Sequence, residues 1–125
     1  MSDPVEKTLD IYLSPVRERK ILSIAALDVA KLTSYTDIII ILEGRSKRQV
    51  TSLAEHIVKR LKDQKIKPLS QEGVSEGEWA LLDYGDLIFH IFETRMKSFY
   101  DLEGLWADAP RIDLSAFDLT LESRS

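Results

Sequence analysis

The chain contains no cysteine. That excludes disulfides, thiol nucleophiles and thiolate zinc sites together, and it fits a reducing compartment. No apolar run approaches the roughly 18 residues that a membrane-spanning helix requires. The first residues, MSDPVEKTLD, are acidic and carry no apolar stretch. Neither a secretory signal nor an Arg-rich transit peptide is expected there, and the expected location is the cytoplasm. A basic excess is also missing: 17 Lys and Arg against 21 Asp and Glu leave a net charge of −4. Proteins that grip phosphate backbones usually carry the opposite balance, because their cations displace condensed counterions. The expected partner is therefore a basic protein or a small molecule, with little direct nucleic-acid binding. Phosphate loops of the G-x-x-x-x-G-K-[ST] and G-x-G-x-x-G kinds are absent, as is the G-x-S-x-G of esterases.

The 125 residues, 44% of them hydrophobic, suffice for one domain with a real core. PVEKTLDIYL reads as a helix with Pro4 in its first turn, ended by Ser14-Pro15. VRERK reads as a solvated charged stretch. ILSIAALDV (21–29) is strand-like. DIIIILEG (37–44) has no polar break among its aliphatic residues, which marks a central strand buried on both faces. In the next segment Val50, Leu53, Ala54, Ile57, Val58 and Leu61 form one helical stripe. Ser46 and Gln49 have capping-box spacing, so the helix is expected to start at Ser46. The cations Lys59, Arg60, Lys62 and Lys65 near its end suit the macrodipole. IKPLSQEG holds a short strand. Met96, Phe99, Leu102 and Trp106 lie at helical spacing, as a last helix packed on the sheet. The tail from residue 109, with its alternation IDLSAFDLTL, is open to three readings: an edge strand, a partner-binding arm or a disordered end. The order α-β-β-α-β-β-β-α predicts a single α/β domain of the mixed α+β kind, a sheet of about five strands with helices packed on it.

WALLDYGDLIFHIF (79–92) reads as a hairpin turning at Gly85-Asp86, since glycine suits the first central position of a type II′ turn. Parity then places Ala80, Leu82, Tyr84, Leu87, Phe89 and Ile91 on one face, almost wholly apolar, which should be core. Trp79, Leu81, Asp83, Ile88, His90 and Phe92 share the other. That mixed face is either covered by the first helix or the tail, or left open for a partner, since aromatics rimmed by polar groups mark interaction sites.

Chemistry has weaker support. Asp37, Asp83 and Asp86 could gather round a divalent metal with His90 as base, but each acid also has a turn or pairing role to fill. Arg45, Lys47 and Arg48 crowd a helix N-terminus, where cations are disfavoured, so nearby acids or an anionic partner must offset them. His56 falls off the apolar stripe as a surface histidine. No catalytic residue, metal or cofactor is expected.

Several motifs occur together in one order: T-D before an apolar strand, G-x-S-x-R-Q-V at the helix start, E-G then G-x-W, D-Y-G-D, H-I-F and Y-D-L-E-x-L-W. Over residues 22–108 the chain resembles the Iojap family, the ribosomal silencing factors (RsfS). The resemblance implies a mixed sheet similar to that of nucleotidyltransferases, without their catalytic acids. It implies binding to the large ribosomal subunit through ribosomal protein uL14, and a steric block of small-subunit joining that represses translation when nutrients are short. Its other implications are a part in large-subunit biogenesis and a homodimer in the free state. It assigns Trp79 to the partner contact. Joined to the parity argument, it gives Trp79, Leu81, Asp83, Tyr84, Asp86, His90 and Phe92 as partner-binding, with Arg48 and Tyr100 from two of the matched motifs. The chain departs from the family's common pattern at Arg45, where Thr is usual, and at ILEG, where a T-G or S-G pair is usual. On this reading residues 1–108 form the family domain and 109–125 a tail.

Overall fold

The computed structural model describes residues 4–99 and 101–122, apart from the side chains of residues 99, 102 and 103. Helix α1 covers Pro4–Leu13. A 3-10 turn at Val16–Glu18 follows, with Val16 buried, so the charged stretch VRERK is anchored by its one apolar residue. The strand expected over 21–29 is divided: β1 is Lys20–Ile21 and β2 is Ser23–Asp28. Then come β3 (Ile38–Gly44), α2 (Lys47–Asp63), β4 (Ser70–Glu72), β5 (Trp79–Asp83) and β6 (Leu87–Glu93). The expected last helix is two short ones, α3 (Thr94–Phe99) and α4 (Leu102–Leu105).

The main sheet has the order β2-β3-β6-β5-β4. Only β3 and β6 run parallel; the other neighbours are antiparallel. β3 lies between β2 and β6, and all seven of its residues are buried, as an unbroken aliphatic run requires.

Ser46 caps α2 by accepting the Gln49 N–H at 3.1 Å. The Gln49 side-chain carbonyl reaches back to the amide of Arg45, one residue before the amide a capping box would use. The buried stripe of α2, Val50 to Leu61, packs with Leu9 and Leu13 of α1 on one sheet face. That face supplies Ile38, Ile40 and Leu42 from β3 and the even-numbered hairpin residues Ala80 and Leu82.

The described residues after 108 pack on the sheet. Ala109 is buried on the second face. The chain then runs along the edge of β2, with Asp28 N–H donating to Pro110 O at 2.9 Å and Ile112 N–H to Ala26 O at 2.8 Å. Past a 3-10 turn at Ser115–Phe117, Phe117 enters the first-face core. Strand β7 (Thr120–Leu121) then pairs parallel with β1. The tail is a strap around one sheet edge, which shields backbone groups that an open edge would offer to another chain.

Candidate functional site

The hairpin follows from its sequence. Gly85 has φ +89°, a conformation glycine adopts without a Cβ penalty. The Asp83 carboxylate accepts the Gly85 N–H at 2.8 Å, and the Tyr84 N–H donates to Leu87 O at 2.9 Å. The register pairs Trp79 with Phe92, Ala80 with Ile91, Leu81 with His90, Leu82 with Phe89 and Asp83 with Ile88, as parity predicted. A second glycine sets where β5 begins. Gly77 has φ +75°, and a Cβ there would lie 2.3 Å from the Lys47 carbonyl oxygen. Only glycine lets this loop press against the start of α2 just before Trp79.

The two faces of the hairpin are unlike. Ala80, Leu82, Leu87, Phe89 and Ile91 are fully buried on the first. On the second, Trp79, Leu81, Asp83 and Ile88 are half-buried. Leu9 and Leu13 of α1 belong to the first-face core, so α1 does not cover the second. Residues from the C-terminal part do: Met96, Trp106 and Ala109 pack with Ala25, Leu27, Ile39, Ile41 and Phe92. They cover the β2–β3 side and leave the β5 side partly open.

Trp79 is fixed by its neighbours. Its ring stacks on Phe92 with centroids 4.8 Å apart and 28° between planes. Its Nε1–H donates to His90 Nδ1 at 3.0 Å. Indole N–H only donates, so Nδ1 must be the unprotonated nitrogen and the imidazole carries its proton on Nε2. Burial lowers the His90 pKa to about 4, because removal from water disfavours the charged ring. His90 is therefore neutral near pH 7. It orients Trp79, and its acceptor nitrogen is already occupied, which is a poor arrangement for a general base.

Three expected contact residues are corrected. His90 is 8% exposed and its Nδ1 is taken up by Trp79. Phe92 is fully buried, because Trp79 lies across it and the C-terminal residues pack against it; it supports the patch from beneath. Tyr84 belongs to the core face and is 8% exposed. Its ring meets Tyr12 at 5.3 Å and Phe89 at 6.0 Å. Its hydroxyl is buried without a hydrogen-bond partner, and burial pushes its pKa up to about 12. None of the three side chains offers a surface to a partner. Leu81 and Asp83 share the half-open face with Trp79, and Asp86 is exposed in the turn. Arg48 is exposed in the first turn of α2, the helix that packs on the first face. Tyr100 lies outside the described residues.

The register extends the patch beyond the sequence reading. Ser70 pairs with Asp83 and Glu72 with Leu81, so both point to the second face, and both are exposed. The patch thus has an aromatic and aliphatic centre with Asp83 and Glu72 at its rim. Glu43 was also missed. It is 2% exposed, accepts from Ser23 Oγ at 2.8 Å and lies 3.8 Å from Lys97 Nζ. An acid closing an aliphatic run, as in IIIILEG, was the available signal. Asp37, Asp83 and Asp86 do not assemble with His90: among the described residues no three His, Asp or Glu side chains are placed to hold a metal ion. No described helix is long and apolar enough to cross a membrane.

Fold and patch together define a class: a single mixed α/β domain with one sheet face sealed by two helices and the other left half open around a fixed tryptophan. A family model described as ribosomal silencing factor during starvation matches residues 2–125, and the chain belongs to that family, RsfS. The match runs through the tail that the sequence resemblance left out. The RsfS protein of Zymomonas mobilis is 36% identical over 104 residues, covering 83% of this chain and 77% of that one. A crystal structure of a Chromobacterium violaceum protein superposes with a TM-score of 0.78 at 31% identity, over 84% of this chain and 88% of that one. A more distant match is a mouse protein named for mitochondrial assembly of the ribosomal large subunit, 27% identical over 101 residues, 78% of this chain and 44% of that one.

Proposed function

We propose that this cytoplasmic protein docks on the large ribosomal subunit through ribosomal protein uL14 and, by its bulk, keeps the small subunit from joining, repressing translation without catalysis. The observation that carries this is the half-open second face, where Trp79 is held flat on Phe92 with Leu81 and Ile88 beside it. A rigid aromatic ringed by polar groups is what binding hot spots use. Asp83 and Glu72 at the rim complement a basic protein and favour encounter with it. In this reading residues 1–108 are the family domain that docks and 109–125 are its C-terminal tail. The free protein pairs as a homodimer, which analytical ultracentrifugation checks.

Occlusion requires an affinity sufficient to compete, which an interface of about 1,600 Å² supplies when built round such an anchor. The test is sucrose-gradient sedimentation of purified subunits with and without the protein. Comigration with the large subunit alone, together with fewer joined ribosomes, is expected. Normal joining at saturating protein would sink the occlusion reading. Trp79→Ala should cost about 2–4 kcal/mol of binding while the domain stays folded.

The mouse relative's name favours a second reading, a factor in large-subunit assembly. A clear preference for immature over mature large subunits in the same gradients would select it.

A further inference from the structure

A cleft of about 450 Å³ opens at the start of α2 and shares no lining residue with the hairpin patch. Among the described residues four cations line it: Arg19 and Lys20 from the approach to β1, Arg45 before the α2 cap, and Arg48 after it. They gather in a chain whose net charge is −4, so the local field opposes the global one. Arg19 is held there by Ser52, with Nη1 3.3 Å from its hydroxyl. Among the described lining residues the one acid is Glu122, drawn in from the end of the strap. Its carboxylate lies 3.4 Å from Arg45 Nε and accepts from Gln49 Nε2 at 3.1 Å. The first turn of α2 has no acid of its own. A carboxylate from 77 residues away in sequence from Arg45 already fills an anion position.

We propose that this cleft binds the phosphodiester backbone of RNA, and that Glu122 is an internal occupant which an RNA phosphate displaces. Guanidinium groups present forked donors to carboxylate and phosphate alike. The occupant is replaceable. Its pair with Arg45 is partly exposed, and such pairs contribute little. The strap end is held by a two-residue pairing whose side chains, Thr120 and Leu121, are both exposed, and the Glu122 N–H donates to Ile21 O at 2.7 Å, so only its side chain need swing away. Among the described lining residues there is no aromatic ring, hence no platform for stacking a base, which favours contact with backbone over a free nucleotide. An open row of long cationic side chains suits a linear polyanion. The inference rests on the ribosome reading only for the source of the RNA, which would flank the protein contact.

The experiment is fluorescence anisotropy of the full chain with a labelled single-stranded RNA of mixed sequence, about 16 nucleotides long, across a salt series. Weak, salt-sensitive binding is expected. The double variant Arg45→Ala with Arg48→Ala should weaken it about tenfold and lower the slope of log K against log salt by about 1.4, about 0.7 for each cation on a single strand. Arg19→Ala with Lys20→Ala, on a separate segment, should do the same, which guards against a folding defect in either pair. Glu122→Gln should tighten binding about threefold by weakening the competitor. Trp79→Ala should leave RNA binding unchanged, so failure of the docking reading and failure of this one are separable. Unaltered RNA binding in both double variants, or no gain with Glu122→Gln, overturns the proposal. Displacement of the RNA by micromolar nucleoside triphosphate overturns the backbone assignment in favour of a free nucleotide.

Discussion

The two faces of the β5–β6 hairpin are built from alternate residues of the same strands, yet their fates differ. The first is sealed by α1 and α2, and its residues from Ala80 to Ile91 are dry. The second is sealed only on its β2–β3 side, by Met96, Trp106 and Ala109. The difference shows how a small domain divides stability from recognition: one face supplies the core, and the other keeps a few large side chains in fixed positions. Adjacent leucines make the sharpest test. Leu82 is fully buried and Leu81 half-buried. Leu82→Ala should cost about 2–5 kcal/mol of folding free energy, the range for core Leu truncations. Leu81→Ala should cost under about 1 kcal/mol, as for a site that is partly solvated. Urea denaturation measures both. Equal costs would mean the second face is as sealed as the first.

The next effect comes from His90, the one titratable group buried within the second face of the hairpin. Its folded pKa of about 4 lies below the ordinary 6.5, so below pH 6.5 the unfolded chain binds a proton that the folded chain refuses. Stability from this group is complete above 6.5 and falls as the pH drops towards 4. Between pH 7 and pH 5 the loss should be about 2 kcal/mol. Protonation would also set an N–H on Nδ1 against the Trp79 N–H that now donates to it. Denaturant unfolding at the two pH values measures the slope, and His90→Gln should remove this share of it. An unchanged slope in the variant would show that the His90 side is as wet as its neighbours.

The hairpin register, the central place of β3 and the Ser46 cap were legible in the sequence because each rests on local chemistry: a period of two, a Gly-Asp turn, an aliphatic run, an S-x-x-Q spacing. Parity also separated the two faces. What covers each face was not legible, since that is settled by segments far away in sequence. Nothing local in PVEKTLDIYL says that Leu9 and Leu13 pack with Phe89, or that Ala109 reaches β2. Phe92 was read as a contact residue for this reason: parity put it beside Trp79, but only the cross-strand stack shows Trp79 lying over it. The spacing of Met96, Phe99, Leu102 and Trp106 promised one helix, yet the chain forms two short ones, and Met96 and Trp106 still reach the same cluster. The strap's path was equally hidden, because its alternation fits an edge strand while its anchors, Ala109 and Phe117, lie on opposite faces.

The smallest expected effect refines what Trp79 offers a partner. Its N–H is already committed to His90 Nδ1, so little remains for recognition except ring area. Trp79→Phe keeps a smaller ring over Phe92 and deletes the donor with part of the indole's area. Folding should weaken by about 1 kcal/mol, the net worth of one hydrogen bond. Partner affinity should fall by a similar amount, well short of the loss expected for Trp79→Ala. Isothermal titration of both variants against the isolated ribosomal protein separates the contributions. If Trp79→Phe loses as much affinity as Trp79→Ala, the indole N–H must leave His90 when the partner docks. Trp79 would then be a side chain that turns over on binding, and the open half of this face would be less rigid than its stacked rings imply.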